Sequence, residues 1–298
     1  MSAVVKTVRV GIVAKSHLRE ATPHLSEIER WLAARGHAAV FETATAALMP
    51  PGGQRSVADK PALVADVDLV VVLGGDGTLL SVADCVAASG ADVPILGVNY
   101  GSLGFLTEIT LPELHDALES ALAGTAEIDS RMMLLANTVR RDRPFSEHVV
   151  LNDIVVTKGA LSRIVEISVS VGDEAVMRVR ADGLIIASPT GSTAYNLAAG
   201  GPIVHPALDA ILLTPIAPHT LSNRPVVIPA SSDVRVRPIM DSNSEVYVTF
   251  DGQSGFSLQS SDIVNIRRAP RPLQVIKAAN RTYFEVLRNK LRWGGSTP

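Results

Sequence analysis

The 298-residue chain has one cysteine, Cys85, so it can form neither an internal disulfide nor a cysteine-based metal cluster. Aromatic residues are only 4% of it, too few for the stacking platforms on which single-stranded nucleic acids are held. It lacks a charge excess as well: 27 basic and 30 acidic residues are well mixed, for a formal net charge of −3. With no basic tail or stripe, neither nucleic acid nor a membrane surface is expected as a partner. No apolar run approaches the ~20 residues that span a bilayer. The start, "MSAVVKTVRVGIVAKS", reads as a first strand rather than a signal sequence, and a cytoplasmic location is expected. Missing too are Gly-Lys-Ser/Thr, HExxH, CxxC and GxSxG, which argues against P-loop, zinc-hydrolase, dithiol and serine-hydrolase chemistry. His205 and His219 sit beside prolines without metal-ligand spacing and read as structural.

What is present falls into two textures. Up to residue 130, short apolar runs alternate with helical patterns: strands at Val8–Val13, Leu69–Leu73 and Ile95–Val98, helices at Ser26–Arg35, Leu79–Ala88 and Pro112–Leu122, the last capped by Thr110. The stretch Ala44–Lys60, with Pro50-Pro51-Gly52-Gly53, reads as a mobile loop. Alternating strands and helices predict an α/β N-terminal domain, residues 1–130, with an open, mostly parallel sheet. Beyond it the period becomes two. In "RIVEISVSVG", Val165, Ile167, Val169 and Val171 alternate with polar residues, and "SEVYVTFDG" repeats the habit. That predicts an all-β, sandwich-like C-terminal domain over 131–272. Helical texture returns at Arg281–Trp293, and segment 273–298 is expected to pack back on the first domain.

Four stretches carry candidate chemistry. "VVLGGDGTLL", Val71–Leu80, places a glycine turn between a buried strand and a helix, the setting in which backbone N–H groups and a helix N-terminus hold phosphate. Asp76 interrupts that turn. It is either a helix cap within a tight turn or a group that takes a proton from a substrate hydroxyl as that oxygen attacks phosphorus. "GVNYGSLGFLTE", Gly97–Glu108, follows the next strand and should emerge at the same sheet edge, as a second glycine turn or simply a loop. "ADGLIIASPTGSTAYNLAAGGPIVHP", Ala181–Pro206, sets Thr190-Gly191-Ser192-Thr193-Ala194-Tyr195 after an apolar strand. Its hydroxyls and amides suit a purine edge, and the alternative is a capped helix start. Asn152-Asp153 interrupts an apolar strand, as a turn or as polar groups awaiting partners.

Taken together, "GGDGT" (Gly74–Thr78), "NYGSLGFLTE" (Asn99–Glu108), "LNDIVV" (Leu151–Val156), "DGLIIASPTGSTAY" (Asp182–Tyr195), "AGGPIVHP" (Ala199–Pro206), "PHTLSNRPVVI" (Pro218–Ile228) and "DGQ" (Asp251–Gln253) resemble the NAD kinase family. "GGDG" is shared with lipid kinases and phosphofructokinases; the Thr190–Tyr195 block is more particular to NAD kinases. The resemblance implies ATP-dependent phosphorylation of the adenosine-ribose 2′-hydroxyl of NAD, with Asp76 as the base. It implies Gly74, Gly75, Gly77 and Thr78 at the phosphates and Phe105 at the adenosine end. Asn152 and Asp153 would bind ribose or base. Thr190, Thr193, Ala194 and Tyr195 would hold adenine and nicotinamide groups, with Gln253 nearby. Asp182 would reach across a subunit boundary, and Arg180, a basic residue of Gram-negative-type members, hints at a preference for oxidised NAD. Asp153 departs from the family's glutamate by one methylene. The family further implies a site between two domains, Mg²⁺ or another divalent metal arriving with ATP, no dedicated metal ligands, and a homodimer or homotetramer. The rival readings are a lipid or sugar kinase with the same turn and a non-catalytic NAD sensor.

Overall fold

The structure, a computed structural model, describes residues 7–51, 54–101, 103–159, 164–220, 222–240 and 245–293. Residues 1–6, Gly52, Gly53, Ser102, Arg163, Leu221, Ser244 and residues 294–298, which fall within stretches named above, lie outside the described residues. Two compact units are present, Met1–Ser130 with Leu273–Pro298, and Arg131–Pro272.

The first unit is built on strands β1 (Arg9–Ala14), β2 (Ala38–Glu42), β3 (Ser56–Ala58), β4 (Leu69–Gly74), β5 (Ile95–Asn99), β6 (Ile109–Thr110) and β7 (Ile128–Arg131). Its helices include α1 (Thr22–Ala34), α2 (Thr43–Ala46), α3 (Lys60–Ala65), α4 (Asp76–Ser89) and α5 (Leu114–Leu122). A late strand, Leu273–Ile276, inserts between β5 and β7, giving the order β3-β2-β1-β4-β5-late strand-β7, with β6 paired to β5. The neighbours from β3 through to the late strand pair in parallel. Every residue of β4, Leu-Val-Val-Val-Leu-Gly, is buried, as an apolar run covered on both faces must be. Leu25, Ile28 and Leu32 of α1 and Leu114 and Leu118 of α5 share a core with Val10, Ile12, Val71 and Leu73. Leu79, Val82, Ala83 and Val86 of α4 are buried too.

The segment read as a mobile loop holds more order than expected. Ser56–Ala58 adds a parallel edge strand to β2, and Thr43–Ala46 forms a helical turn held by Glu42, whose carboxylate accepts from the Thr45 amide and hydroxyl, each at 2.8 Å. At three residues, β3 is too short to show a period. Helix α4 begins three residues before the expected start, because Gly75 serves as its N-cap and Asp76 is already helical. Thr110 does cap, through a capping box with Glu113, but the first turn it opens is 3₁₀, over Leu111–Glu113.

The second unit contains β8 (Leu134–Arg140), β9 (Arg143–Val150), β10 (Asp153–Lys158), β11 (Val165–Val171), β12 (Glu174–Ala181), β13 (Gly183–Ala187), β14 (Ala210–Ile216), β15 (Val226–Pro229), β16 (Val234–Ile239), β17 (Val246–Phe250), β18 (Ser254–Leu258) and β19 (Ile263–Arg268). These make two antiparallel six-stranded sheets, β15-β14-β13-β10-β17-β18 and β12-β11-β16-β19-β8-β9. Alternate residues of both, among them Ile154, Val156, Leu184 and Ile186 from one and Leu134, Ile167, Val169 and Val236 from the other, form one core. The other face of the first sheet is also covered. Val155, Ile185, Ala187 and Leu212 pack with Val204 from the long connection after β13. That connection carries a 3₁₀ turn (Thr190–Thr193) and a short helix, α6 (Tyr195–Ala198).

The late strand, now β20, leads to α7 (Tyr283–Leu291), which belongs to the first unit. Arg281, just before it, binds Glu113 through both terminal nitrogens at 2.9 Å and donates to the Glu108 carbonyl. Among the described residues, no helix is long and apolar enough to cross a membrane.

Candidate active site

In the first unit, the site begins where β4 ends and α4 starts. Gly75 is extended (φ −114°, ψ −175°), and Asp76 opens the helix. The Asp76 carboxylate is turned toward the stretch after β5. Its Oδ2 accepts from the Phe105 amide at 2.8 Å. Its Oδ1 accepts from the Leu106 amide at 3.0 Å, the Thr107 amide at 3.1 Å and the Thr107 hydroxyl at 3.0 Å. Asn99, at the end of β5, reaches the same Thr107 hydroxyl at 3.2 Å. The two glycine-bearing turns are thus tied together through one carboxylate. Gly104 lets this happen, because a Cβ there would lie 2.1 Å from Asp76 Oδ1. Phe105, which the sequence pointed to, is half-buried, and the Lys290 ammonium of α7 stands 5.8 Å from its ring centroid.

The other side of the turn is different. Gly75, Gly77 and Thr78 line a cavity of about 370 Å³ whose walls also include Lys15, Lys60 and Ser81. The acid and the cavity-lining glycines therefore occupy one turn without opposing each other. Amides and a hydroxyl hold the carboxylate on one side, while the glycines are open on the other.

In the second unit, a second set of candidate residues gathers around the start of β10. Asp251 is the organiser: its carboxylate accepts from the amides of Leu151 (2.7 Å), Asn152 (2.8 Å) and Asp153 (2.9 Å). It can do so because the turn from β17 to β18 takes left-handed backbone at Asp251 (φ 49°) and Gly252 (φ 64°), a conformation that Asp-Gly favours in hairpins. Gln253 completes this turn and is exposed. Asp153 is 5% exposed, and its carboxyl makes no hydrogen bond among the described residues. Burial, joined by the Asp251 charge, pushes it up to about 7.

The Thr190–Tyr195 block closes on the same turn. The Ser188 amide donates to the Asn152 carbonyl at 2.9 Å, and its hydroxyl to the Leu151 carbonyl at 2.5 Å. A Cβ on Gly191 would lie 2.1 Å from the Asn152 carbonyl oxygen, so only glycine fits this approach. Ser192 and Asn196 are consumed by the fold. Ser192 Oγ donates to the Val204 carbonyl and accepts from its amide, and Asn196 bonds Thr214 and the carbonyls of Ser192 and Pro202. Among the described residues the Thr190 hydroxyl is buried without a partner, a loss that a ligand bond would repay. Thr193 and Ala194 are half-buried and Tyr195 is 45% exposed, so these remain presented outward.

Arg180 and Asp182 do not join this group. They precede β13, whereas Thr190 follows it, and five strand residues put them roughly 17 Å apart along the sheet. Asp182 is bound by Lys158 at 3.0 Å, and Arg180 is exposed. Sequence reasoning missed Thr107, Lys15 and Lys60, and Asp251 as an anchor. Its nearest signal for Asp251 was the Asp-Gly pair between two alternating runs.

Comparison with known proteins bears on both units. The ATP-NAD kinase N-terminal domain matches residues 10–126, and the ATP-NAD kinase C-terminal domain matches residues 151–278. The NAD kinase of Geobacter sp. (strain M21) is 46% identical over 286 residues, covering 96% of this chain and 99% of that protein. That of Magnetococcus marinus is 43% identical over 288 residues, covering 95% and 93%. Among solved structures, yeast NADH kinase complexed with NADH is similar over 98% of this chain and 89% of its own, at 26% identity and a TM-score of 0.86. An NAD kinase from Archaeoglobus fulgidus in complex with ATP is similar over 96% and 100%, at 26% identity and a TM-score of 0.74. With both domain models and full-length relatives agreeing with a glycine turn tied to its neighbour and a threonine block closed on an Asn-Asp turn, the chain belongs to the ATP-NAD kinase family.

Proposed function

We propose that, in the reaction this chain catalyses, ATP-dependent phosphorylation of NAD, Asp76 Oδ2 accepts the proton of the adenosine-ribose 2′-hydroxyl as that oxygen attacks the γ-phosphorus. The O–H bond breaks toward Asp76, the new O–P bond forms, and the bond to the β,γ-bridging oxygen breaks to leave ADP. The observation that carries this is the division of work within one carboxylate. A carboxylate offers about four acceptor positions. Among the described residues Oδ1 meets three donors, whereas Oδ2 meets only the Phe105 amide and keeps a position for a hydroxyl. The hydrogen bonds fix the acid in place before substrate arrives, which is how positioning lowers a barrier.

The same bonds favour a second reading, in which Asp76 is a positioning residue that holds the 104–107 stretch. One experiment separates the two. Asp76→Asn keeps the shape but turns an amide NH₂ toward one or more backbone donors. As a base, Asp76 is worth about 10²–10⁴ in kcat, with NAD affinity changed less than about threefold. If NAD affinity and melting temperature fall in step with kcat, Asp76 acts as the anchor alone.

NAD binding is assigned to the second unit. Asn152 and Asp153 meet ribose or base, the Thr190 hydroxyl and the Thr193–Tyr195 backbone and ring meet the adenine and nicotinamide groups, and Gln253 lies on the adjoining turn. Asp182, at the far end of β13, serves the dinucleotide of a second copy of this chain, which makes the working form a homodimer or homotetramer, and Arg180 favours oxidised NAD; light scattering reads the assembly directly. A divalent metal carried on the donor's phosphates would neutralise their charge.

A further inference from the structure

We infer that Arg281 is a positioning residue for phosphoryl transfer: from the C-terminal segment it fixes the stretch whose amides and hydroxyl aim Asp76. The inference rests on the reading above that Asp76 acts in the reaction, and it adds a group that lies outside both glycine-bearing turns. Three observations converge on it.

The first is what Arg281 holds. Its guanidinium meets both oxygens of Glu113, each at 2.9 Å, and its Nη1 also donates to the Glu108 carbonyl. Glu108 directly follows Thr107, which supplies two of the three donors to Asp76 Oδ1. Glu113 in turn accepts from the Thr110 amide at 2.8 Å and from its hydroxyl at 2.7 Å. One side chain therefore grips the stretch just past those donors, directly at Glu108 and through Glu113 at Thr110.

The second is the nature of the stretch. The described residues between β5 and β6 form neither helix nor strand. β6 itself pairs with β5 through two residues, Ile109 with Val98 and Thr110 with Asn99. A connection without its own ladder keeps one shape only where side chains tie it down. Asp76 ties it at Phe105–Thr107, Asn99 at the Thr107 hydroxyl, and Arg281 at the end that leads into α5.

The third is how Arg281 is presented. It lies between β20, whose Val275 pairs with Ile95 of β5, and α7, which Thr282 caps and which buries Val286 and Leu287. Elements on both sides thus hold its backbone. The same segment meets the stretch a second time, where Lys290 stands 5.8 Å from the Phe105 ring centroid. The planar fork of a guanidinium suits two carboxylate oxygens at once, and the single ammonium of lysine does not reproduce it.

The test is a double-mutant cycle on the full chain. The wild type, Arg281→Ala, Arg281→Lys, Asp76→Asn and the two double variants are compared by kcat, KM for NAD and for ATP, and melting temperature. A residue that acts through Asp76 loses its effect once that carboxylate is gone, whereas one that only supports the fold adds its loss to any background. Arg281→Ala is expected to lower kcat by about 10–100-fold, the scale of a ~1 Å misplacement, with both KM values within about threefold of wild type. Arg281→Lys should lower kcat by about tenfold with an unchanged melting temperature, because it keeps the charge and loses the fork. In the Asp76→Asn background, either substitution should lower kcat by less than about twofold more. Arg281 variants with wild-type kcat, or losses that multiply in full with that of Asp76→Asn, would overturn the inference. Where Arg281→Ala does not fold, Arg281→Lys carries the same cycle. Failure of the Asp76 reading shows differently, as wild-type kcat in Asp76→Asn alone.

Discussion

At the residue scale, the turn Gly74–Thr78 works because consecutive residues face opposite ways. The carboxylate of Asp76 is bonded to the Phe105–Thr107 stretch, while Gly75, Gly77 and Thr78 line the cavity. The clearest single-atom test of this arrangement is Gly104→Ala. Its methyl would fall 2.1 Å from Asp76 Oδ1 and 2.3 Å from the Thr107 hydroxyl, so the clamp must open. Overpacking of this kind costs about 1–3 kcal/mol. A melting curve and kcat measured together should both fall, kcat by about tenfold or more; a variant with wild-type kcat would show that the clamp is dispensable. None of this could be read from the chain. Asp76 and Thr107 are 31 positions apart, and nothing in the local pattern of either announces the other.

At the scale of elements, most of the architecture was legible, for particular reasons. The unbroken run of β4 announced a strand covered on both faces, and the alternation of β11 and β17 announced strands with one face in a core. The α/β and all-β character of the two regions followed from those two textures. Short elements were not legible. β3 is three residues long and pairs with β2, and its sequence Ser-Val-Ala carries no period. The covering role of the stretch after β13 was not legible: the polar side chains of the threonine block conceal that Val204, further along, packs on a sheet face. Lys15 and Lys60 were invisible because a lone lysine after a strand looks like any surface lysine; only the strand order places them together. Helix α7 gives the prediction proper to this scale. Thr282 caps it and Glu285 reaches back at 2.8 Å, so Thr282→Ala should cost about 1 kcal/mol in urea unfolding. An unchanged midpoint would mean the capping box contributes nothing.

At the scale of the whole molecule, the buried Asp153 links stability to pH. Its folded value of about 7 lies well above the 3.8 of a free aspartate. Between those values the unfolded chain has lost the proton and the folded chain retains it. The contribution is therefore fully present below about pH 4 and is lost as pH rises through 7. Three units correspond to roughly 4 kcal/mol at 1.36 kcal/mol per unit. Glu27 and Glu113 act in the opposite sense, held low by His115 and by Thr110 and Arg281 respectively, so the test is a difference between proteins. Asp153→Asn should gain stability relative to the wild type between pH 4 and 7, measured by urea unfolding across that range. Parallel curves would remove Asp153 as the source. A neutral acid that ionises near 7 also makes NAD binding sensitive to pH over the same range, if its ionised form accepts from a ribose hydroxyl.

Catalysis as proposed requires that donor phosphates and the acid be kept apart within one turn. The measurement that reaches it most directly is the effect of Asp76→Asn on two quantities in one preparation, kcat for NADP formation and affinity for ATP. Loss of kcat by about 10²–10⁴, with ATP affinity kept within about twofold, is the predicted result. Wild-type kcat, or ATP affinity that falls as far as kcat does, would contradict it.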